Sequence, residues 1–309
     1  MKTKIKELLD KISTVIYDKE SEIELIFATW LMGGHVLLED VPGTGKTVLA
    51  KAFAKICDLD LGRVQFTPDL LPNDILGTTI YDSETRKFHF QKGPIFSSFF
   101  LADEINRATP RTQSALLEAM AERQITVDNQ TTNLPSEFIV LATQNPIEQH
   151  GTFPLPEAQL DRFTIRISLG GMSAENEIRM LKAQNDIHPL EKLEPLLNSK
   201  MLHQMQEHIS KVKIDEDIYK YIIEIVTKTR KHPKIKHGAS PRASISLAKL
   251  GQALALIKGR SYVIPSDIHS IAIPVLNHRL ILNDEAMFED VKILDVINDI
   301  LRSVRSPRL

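Results

Sequence analysis

Apolar positions along the first half of the chain follow two patterns that take turns. Ile5, Leu8, Leu9, Ile12 and Val15 recur at helical spacing among lysines, which predicts an amphipathic helix on a soluble protein. Ile23, Ile26, Phe27, Trp30 and Leu31 keep the same period up to Gly33 and Gly34, and the run HVLLE that follows reads as a buried strand. Further short apolar runs are RVQF near Val64, SFFLAD near Leu101, EFIVLAT near Val140 and RFTIRIS near Ile165, with helical patterns between them. Buried strands alternating with helices predict an α/β fold whose largely parallel sheet is covered on both faces.

Beyond Gly171 the strand-like runs stop. Ile218, Tyr221, Ile222 and Ile225, then Leu247, Leu250, Leu254 and Ile257 before Gly259, read as helices. The change falls at LGGMS, Leu169 to Ser173, and predicts an α/β domain over 1–170 with an N-terminal helix, then an all-helical domain over 171–309. Inside the first, TTIYDSETRKFHFQKGPIF reads as a hairpin near 78–92, with its turn at Asp82 to Thr85. Its Phe88 and Phe90 fit two readings equally, contact with a client or packing of the hairpin onto the body.

Composition narrows the partners. Lysine plus arginine number 38 against 40 acids, a net charge of -2, so no basic field points to nucleic acid or to an anionic membrane. The longest uncharged stretch, LIFATWLMGGHVLL, is too short to cross a bilayer. Cys57 is the sole cysteine, which excludes an intrachain disulfide and fits a reducing compartment, so a cytoplasmic location is expected. His232 and His237 lie in a basic loop without ligand spacing and read as surface residues.

The chemistry starts at DVPGTGKT. A strand runs into Gly43 and Gly45, whose missing side chains let backbone N–H groups approach phosphate oxygens at the start of a helix. Lys46 supplies charge for the outer phosphates and Thr47 a hydroxyl for Mg²⁺, so ATP with Mg²⁺ is the expected ligand. The nucleotide-binding stretch is Asp40, Val41, Pro42, Gly43, Thr44, Gly45, Lys46, Thr47 and Val48. Asp40 stands where the G-x-x-x-x-G-K-[ST] pattern opens with glycine, which puts in doubt any backbone turn that needs positive φ there.

SFFLADEINRA ends a buried strand with Asp103 and Glu104, about 50 residues behind the phosphate loop. Asp103 is expected to hold Mg²⁺, directly or through water, and Glu104 to orient and deprotonate the attacking water. FIVLATQNP delivers Asn145 at another strand end, where its amide can bond both water and γ-phosphate or simply form the turn before Pro146.

Together LLEDVPGTGKT, ADEINRATPRTQSALLEAMAERQITV, ATQNPIEQHGTFPLPEAQLDRF and GASPRASISLAKLGQALALIKGRSYVIPSDI resemble the MoxR family of AAA+ ATPases from about Ile23 to Leu282. The resemblance implies a five-stranded αβα nucleotide-binding domain, a helical lid and a homo-oligomeric ring, commonly of six subunits. It implies that Asn145 is the first sensor, that Arg162 of LDRF is an arginine finger reaching a neighbour's γ-phosphate, and that Arg242 of GASPRA is the second sensor. Ser240 and Pro241 suit an N-cap and first helical position, which puts Arg242 in a first turn. The side on which Arg242 acts stays open, and the plainer alternatives are an Asp161–Arg162 ion pair and a solvated Arg242. The resemblance further implies chaperone-like remodelling of a client, a partner carrying a von Willebrand factor A domain, and a role in metal-cofactor maturation. A chelatase-type ATPase subunit or another P-loop motor shares the same outline. A GTPase switch is disfavoured because no N-K-x-D guanine-reading motif occurs, and a non-hydrolysing scaffold because both acids are present.

Overall fold

The computed structural model describes residues 2–41, 43–128, 130–146, 151–183 and 188–307. Two helices lead the chain: α1 (Lys2–Ser13), which buries Ile5, Leu8 and Ile12, and α2 (Glu20–Leu31). The nucleotide-binding half continues with β1 (Val36–Glu39), α3 (Lys46–Ile56), β2 (Leu61–Gln65) and the short α4 (Pro72–Leu76). A hairpin of β3 (Gly77–Asp82) and β4 (Lys87–Lys92) precedes β5 (Phe99–Asp103) and α5 (Pro110–Glu122). A second hairpin, β6 (Gln124–Val127) with β7 (Gln130–Asn133), precedes β8 (Ile139–Gln144), α6 (Glu157–Leu160) and β9 (Ile165–Ile167).

Strands β2, β5, β8, β1 and β9 form one parallel sheet in that order, with Val64 beside Ala102, Leu101 beside Leu141, and Leu38 between Thr143 and Ile167. Parallel strands need crossover connections, so helices cover both faces and the central strands β1, β5 and β8 are buried on both sides. Alternate residues enter different cores. Val36, Leu38, Phe99, Leu101, Ile139 and Leu141 pack with α1, α2 and α3, whereas Leu37, Phe100, Ala102, Val140 and Ala142 pack with α5. That two-sided burial is why these strands read as unbroken apolar runs rather than as alternating ones.

Trp30 anchors the first core, edge-on to Phe99 at 5.4 Å between ring centroids, and its indole N–H donates to the Glu137 carbonyl at 2.6 Å. His35 ties the second. Its Nδ1 accepts from the Val140 amide at 3.0 Å and its Nε2 meets the Met120 carbonyl at 3.2 Å, which fixes a neutral ring protonated on Nε2.

The remainder of the chain comprises α7 (Ala174–Ala183), α8 (Ser199–Ile209), α9 (Glu216–Lys231), β10 (Ile235–His237), α10 (Pro241–Ile257), α11 (Pro265–Leu276), β11 (Ile281–Leu282), α12 (Asp284–Phe288) and α13 (Ile293–Ser303). It is a helical lid with one departure from the all-helical expectation, the antiparallel pair β10 and β11. Only Ile235 of β10 is part-buried between basic and polar neighbours, too little apolar signal for the sequence to reveal a strand. Lid side chains from α8 through α13 join the same core as α1, α2 and α3.

The hairpin near 78–92 is present, with Tyr81 beside Phe88 and Thr79 beside Phe90. Asp82 closes its turn by accepting from the amides of Glu84 and Thr85. Its two phenylalanines differ in burial. Phe90 packs edge-on against Phe96 at 5.8 Å, whereas Phe88 leans on Tyr81 and remains 72% exposed. The β6–β7 hairpin leaves little mark in the sequence, because its strands carry mostly polar residues around Ile125 and Val127. Among the described residues no helix is long and apolar enough to cross a membrane.

Two buried histidines make stability depend on pH. Burial, reinforced by the Arg123 charge, pulls the His35 pKa down to about 3, and burial with the Arg279 charge holds His278 well below its usual value. Both fold neutral but protonate near pH ~6.5 when unfolded. The stabilisation from both is therefore complete above about pH 6.5 and is lost as pH falls, for His35 down to about 3, at roughly 1.4 kcal/mol per pH unit for each histidine. Urea unfolding across this range should steepen below about pH 6.5. A His35→Gln variant, which keeps a donor and an acceptor, should lose one proton's worth of that slope; equal slopes would contradict a neutral buried His35.

Candidate active site

The carboxyl ends of β1, β5 and β8 lie side by side because the three strands are parallel neighbours, and the loops leaving them meet in one crevice. β1 delivers the glycine loop. Gly43 has φ 87° and Gly45 φ 84°, a left-handed backbone that side chains oppose. A Cβ on Gly43 would meet nothing within 4 Å and one on Gly45 only Ile16 Cδ1 at 3.9 Å, so torsion rather than space demands glycine here. Gly45 caps α3 without a side-chain hydrogen bond, which leaves the positive end of that helix on the cavity.

Lys46 Nζ folds back on its own loop, donating to the carbonyls of Asp40 at 2.9 Å and Val41 at 3.1 Å. Partial burial lowers its pKa, opposed by the carboxylates of Asp40, Asp103 and Glu104. Those loop carbonyls are neutral acceptors that an anionic ligand can replace as the partner of the ammonium group.

The doubt that Asp40 raised about a positive-φ turn holds. Asp40 is not among the residues with positive φ, so the loop needs no glycine there. Its buried carboxylate turns toward the end of β9, accepting from Ser168 Oγ at 2.6 Å and from the amides of Leu169 at 2.7 Å and Gly170 at 2.9 Å. Val41 is exposed beside the loop, and Pro42 lies outside the described residues.

β5 delivers the acids. Asp103 Oδ1 accepts from Thr143 Oγ1 at 2.7 Å, and its Oδ2 pairs with Arg63 at 2.9 Å. Glu104 sits in the left-handed region at φ 56° and ψ 52°, a conformation that costs a non-glycine residue about 1 to 3 kcal/mol and clusters at functional sites. Its amide donates to the same Thr143 Oγ1 at 2.8 Å, and its carboxylate accepts from Gln65 at 2.7 Å and Arg107 at 2.9 Å. One hydroxyl on β8 therefore donates to one acid and accepts from the amide of the next.

A cavity of about 170 Å³ is lined by Gly43, Thr44, Gly45, Lys46, Thr47, Val48, Asp103, Glu104 and Asn145. Residues far apart in sequence thus converge on one space that joins helix-end amides, an ammonium, a hydroxyl, two carboxylates and an amide. Such a set can bind a polyphosphate with a hard cation and hold a water against it. Among the described residues no group of three or more His, Cys, Asp or Glu is arranged for a metal, and Cys57 is buried with its thiol pKa pushed up.

Arg162 and Arg242 do not line this cavity. Arg162 donates to the Leu117 carbonyl on α5, and Arg242 is exposed in the first turn of α10, where Ser240 Oγ accepts from its amide at 3.2 Å. Asp161 pairs with Arg279 rather than with Arg162. Sequence reading passed over Gln65, Arg63, Arg107 and Thr143. Only Thr143 left a signal, as the hydroxyl that follows the apolar run IVLA.

Residues 35–165 match the model of the ATPase family associated with various cellular activities (AAA), and residues 227–300 match an AAA lid domain. An uncharacterized protein YeaC of Bacillus subtilis is 47% identical, aligned over 97% of this chain and 93% of its own. Chaperone MoxR1 of Mycobacterium tuberculosis is 39% identical over 97% of this chain and 81% of its own. A crystal structure from Cytophaga hutchinsonii superposes with a TM-score of 0.93 at 42% identity, covering 99% of this chain and 96% of the other. With its core and lid both matched, and with close relatives along almost its whole length, the chain belongs to the MoxR family of AAA+ ATPases.

Proposed function

We propose that this protein hydrolyses ATP in a Mg²⁺-dependent reaction and uses the energy, as a homo-oligomeric ring, to remodel a protein client. The observation that carries the reading is the convergence of Lys46, Thr47, Asp103, Glu104 and Asn145 on one cavity at the carboxyl edge of the sheet. In this reading the amides of Gly43 to Val48 and the Lys46 ammonium hold the phosphates. The Thr47 hydroxyl and the Asp103 carboxylate, both hard oxygen donors on the cavity wall, would hold Mg²⁺. When bound, the ion would neutralise charge on the β- and γ-phosphate oxygens. Glu104 takes the proton of the attacking water, and Gln65 and Arg107 keep its carboxylate aimed. Asn145 orients water and phosphate from the neighbouring strand.

Arg162 and Arg242 lie away from the cavity of their own chain, which supports a role for Arg162 at a neighbour's triphosphate and leaves the same side open to Arg242. Residues 1–170 act as the nucleotide domain and 171–309 as the lid, hinged near Gly170, where φ is 61° and the Asp40 carboxylate links the phosphate loop to the hinge. A six-membered ring, a cytoplasmic location, a partner with a von Willebrand factor A domain and a role in metal-cofactor maturation belong to the same proposal. The name of MoxR1, a chaperone, supports remodelling of a client.

A Glu104→Gln variant should bind ATP like the parent and lose turnover by about 100-fold or more. Unchanged turnover would remove Glu104 as the base. Specific activity of the native protein should climb with its concentration, since an arginine lent in trans contributes on the order of 10³ or more in rate. Strict proportionality between rate and enzyme, with no assembly detectable by light scattering, would end the trans role. Thr143→Val should lower kcat roughly 10-fold, about 1.4 kcal/mol, while leaving nucleotide affinity near native, because both acids lose the hydroxyl that holds them in place. A native kcat in that variant would make Thr143 a bystander.

A further inference from the structure

Asp161 precedes Arg162 in the chain, yet its carboxylate serves the lid. Oδ1 accepts from Arg279 Nε at 2.7 Å, just beyond the end of α11, and Oδ2 accepts from Ser240 Oγ at 3.1 Å, at the start of α10. The Arg279 side chain is only 3% exposed, and its other N–H groups donate to the carbonyls of Phe163 at 2.7 Å, Thr164 at 3.0 Å and Val275. One guanidinium therefore grips residues 161, 163 and 164, on both sides of Arg162. His278 Nε2, beside it in sequence, donates to the Phe163 carbonyl at 3.0 Å.

The other end of the carboxylate reaches Arg242. Ser240 Oγ donates to Asp161 and accepts from the Arg242 amide at 3.2 Å, so one hydroxyl joins the Asp161 side chain to the helix turn that presents Arg242. The Arg242 charge lies near enough to oppose that of Arg279. Both arginines that avoid their own cavity are thus one residue or one turn from a single largely buried ion pair, in which Arg279 is enclosed and Asp161 part-exposed. A buried ion pair is poor evidence of stability, because desolvation offsets its attraction; fixing one arrangement over others is the role it fills better.

We propose that Asp161 and Arg279 are positioning residues, which lock the segment carrying Arg162 to the helix opening with Arg242 and so present both arginines as one rigid edge to the triphosphate site of a neighbouring copy. The proposal rests on the reading of Arg162 as acting in trans. The locked edge belongs to the donor subunit, so a subunit with a broken lock keeps a sound site of its own and fails only as a donor.

The test uses the full chain with Asp161→Asn, Arg279→Gln and Arg162→Ala, each alone and mixed one to one with Glu104→Gln, which keeps a native edge but lacks the base. Alone, Asp161→Asn and Arg279→Gln should bind ATP normally and turn over about 100-fold more slowly, the scale expected when a catalytic group is displaced by an ångström or so. In the mixtures about a quarter of subunits combine an intact Glu104 with a native neighbour, so activity should return to that order of the native rate. Rescue of both lock variants to the level of rescued Arg162→Ala supports the proposal. Native turnover in Asp161→Asn overturns it, as does rescue of Arg162→Ala without rescue of Asp161→Asn. Failure to rescue Arg162→Ala itself ends the trans reading and this proposal with it. Should Arg279→Gln not fold, Asp161→Asn, which matches the native side chain in size at a part-exposed position, decides alone.

Discussion

The candidate site exists because β1, β5 and β8 run parallel as immediate neighbours, so that their carboxyl ends open onto the same crevice. The glycine loop, the acid pair and Asn145 are each no more than a strand end followed by a turn. What gathers them is the hydrogen-bonded register of the three strands, and what holds that register is burial of both sheet faces. Moving a strand by one residue would send its apolar side chains from one core to the other and pull its terminal polar residue out of the crevice.

Within that frame, single polar groups link elements that the sheet alone would leave independent. Thr143 joins β8 to both acids on β5. The Asp40 carboxylate joins the glycine loop to the residues after β9. Asp161 joins the end of α6 to two lid helices. Each link is a buried or part-buried oxygen whose bonding capacity is used by partners far away in sequence, so a change at one end is felt at the other. The left-handed backbone at Glu104 is held in the same way, by its amide bond to Thr143.

Much of the frame was legible in the residues. All five strands of the central sheet announced themselves as short apolar runs, and DVPGTGKT and ADE carried enough chemistry to bring Lys46, Thr47, Asp103 and Glu104 together before any fold was known. The losses have physical causes. β10 and the β6–β7 hairpin are small ladders held by backbone hydrogen bonds, with few apolar residues to mark them. Asp40 put a positive-φ turn in doubt and the loop makes none there, but a glycine pattern says nothing of where a carboxylate in the same place will turn. The plainer alternative of a local Asp161–Arg162 pair is not formed, because a lid arginine 118 residues away takes the carboxylate.

By itself the sequence determined which elements form and which chemistry their ends carry, since hydrophobic periodicity and the residue types of a phosphate loop are local properties of the chain. Tertiary structure alone decided which ends meet and which partners each polar side chain takes. A hydrogen bond or ion pair is a matter of a few ångströms, and only the packed sheet and lid bring residues from distant parts of the chain within that distance.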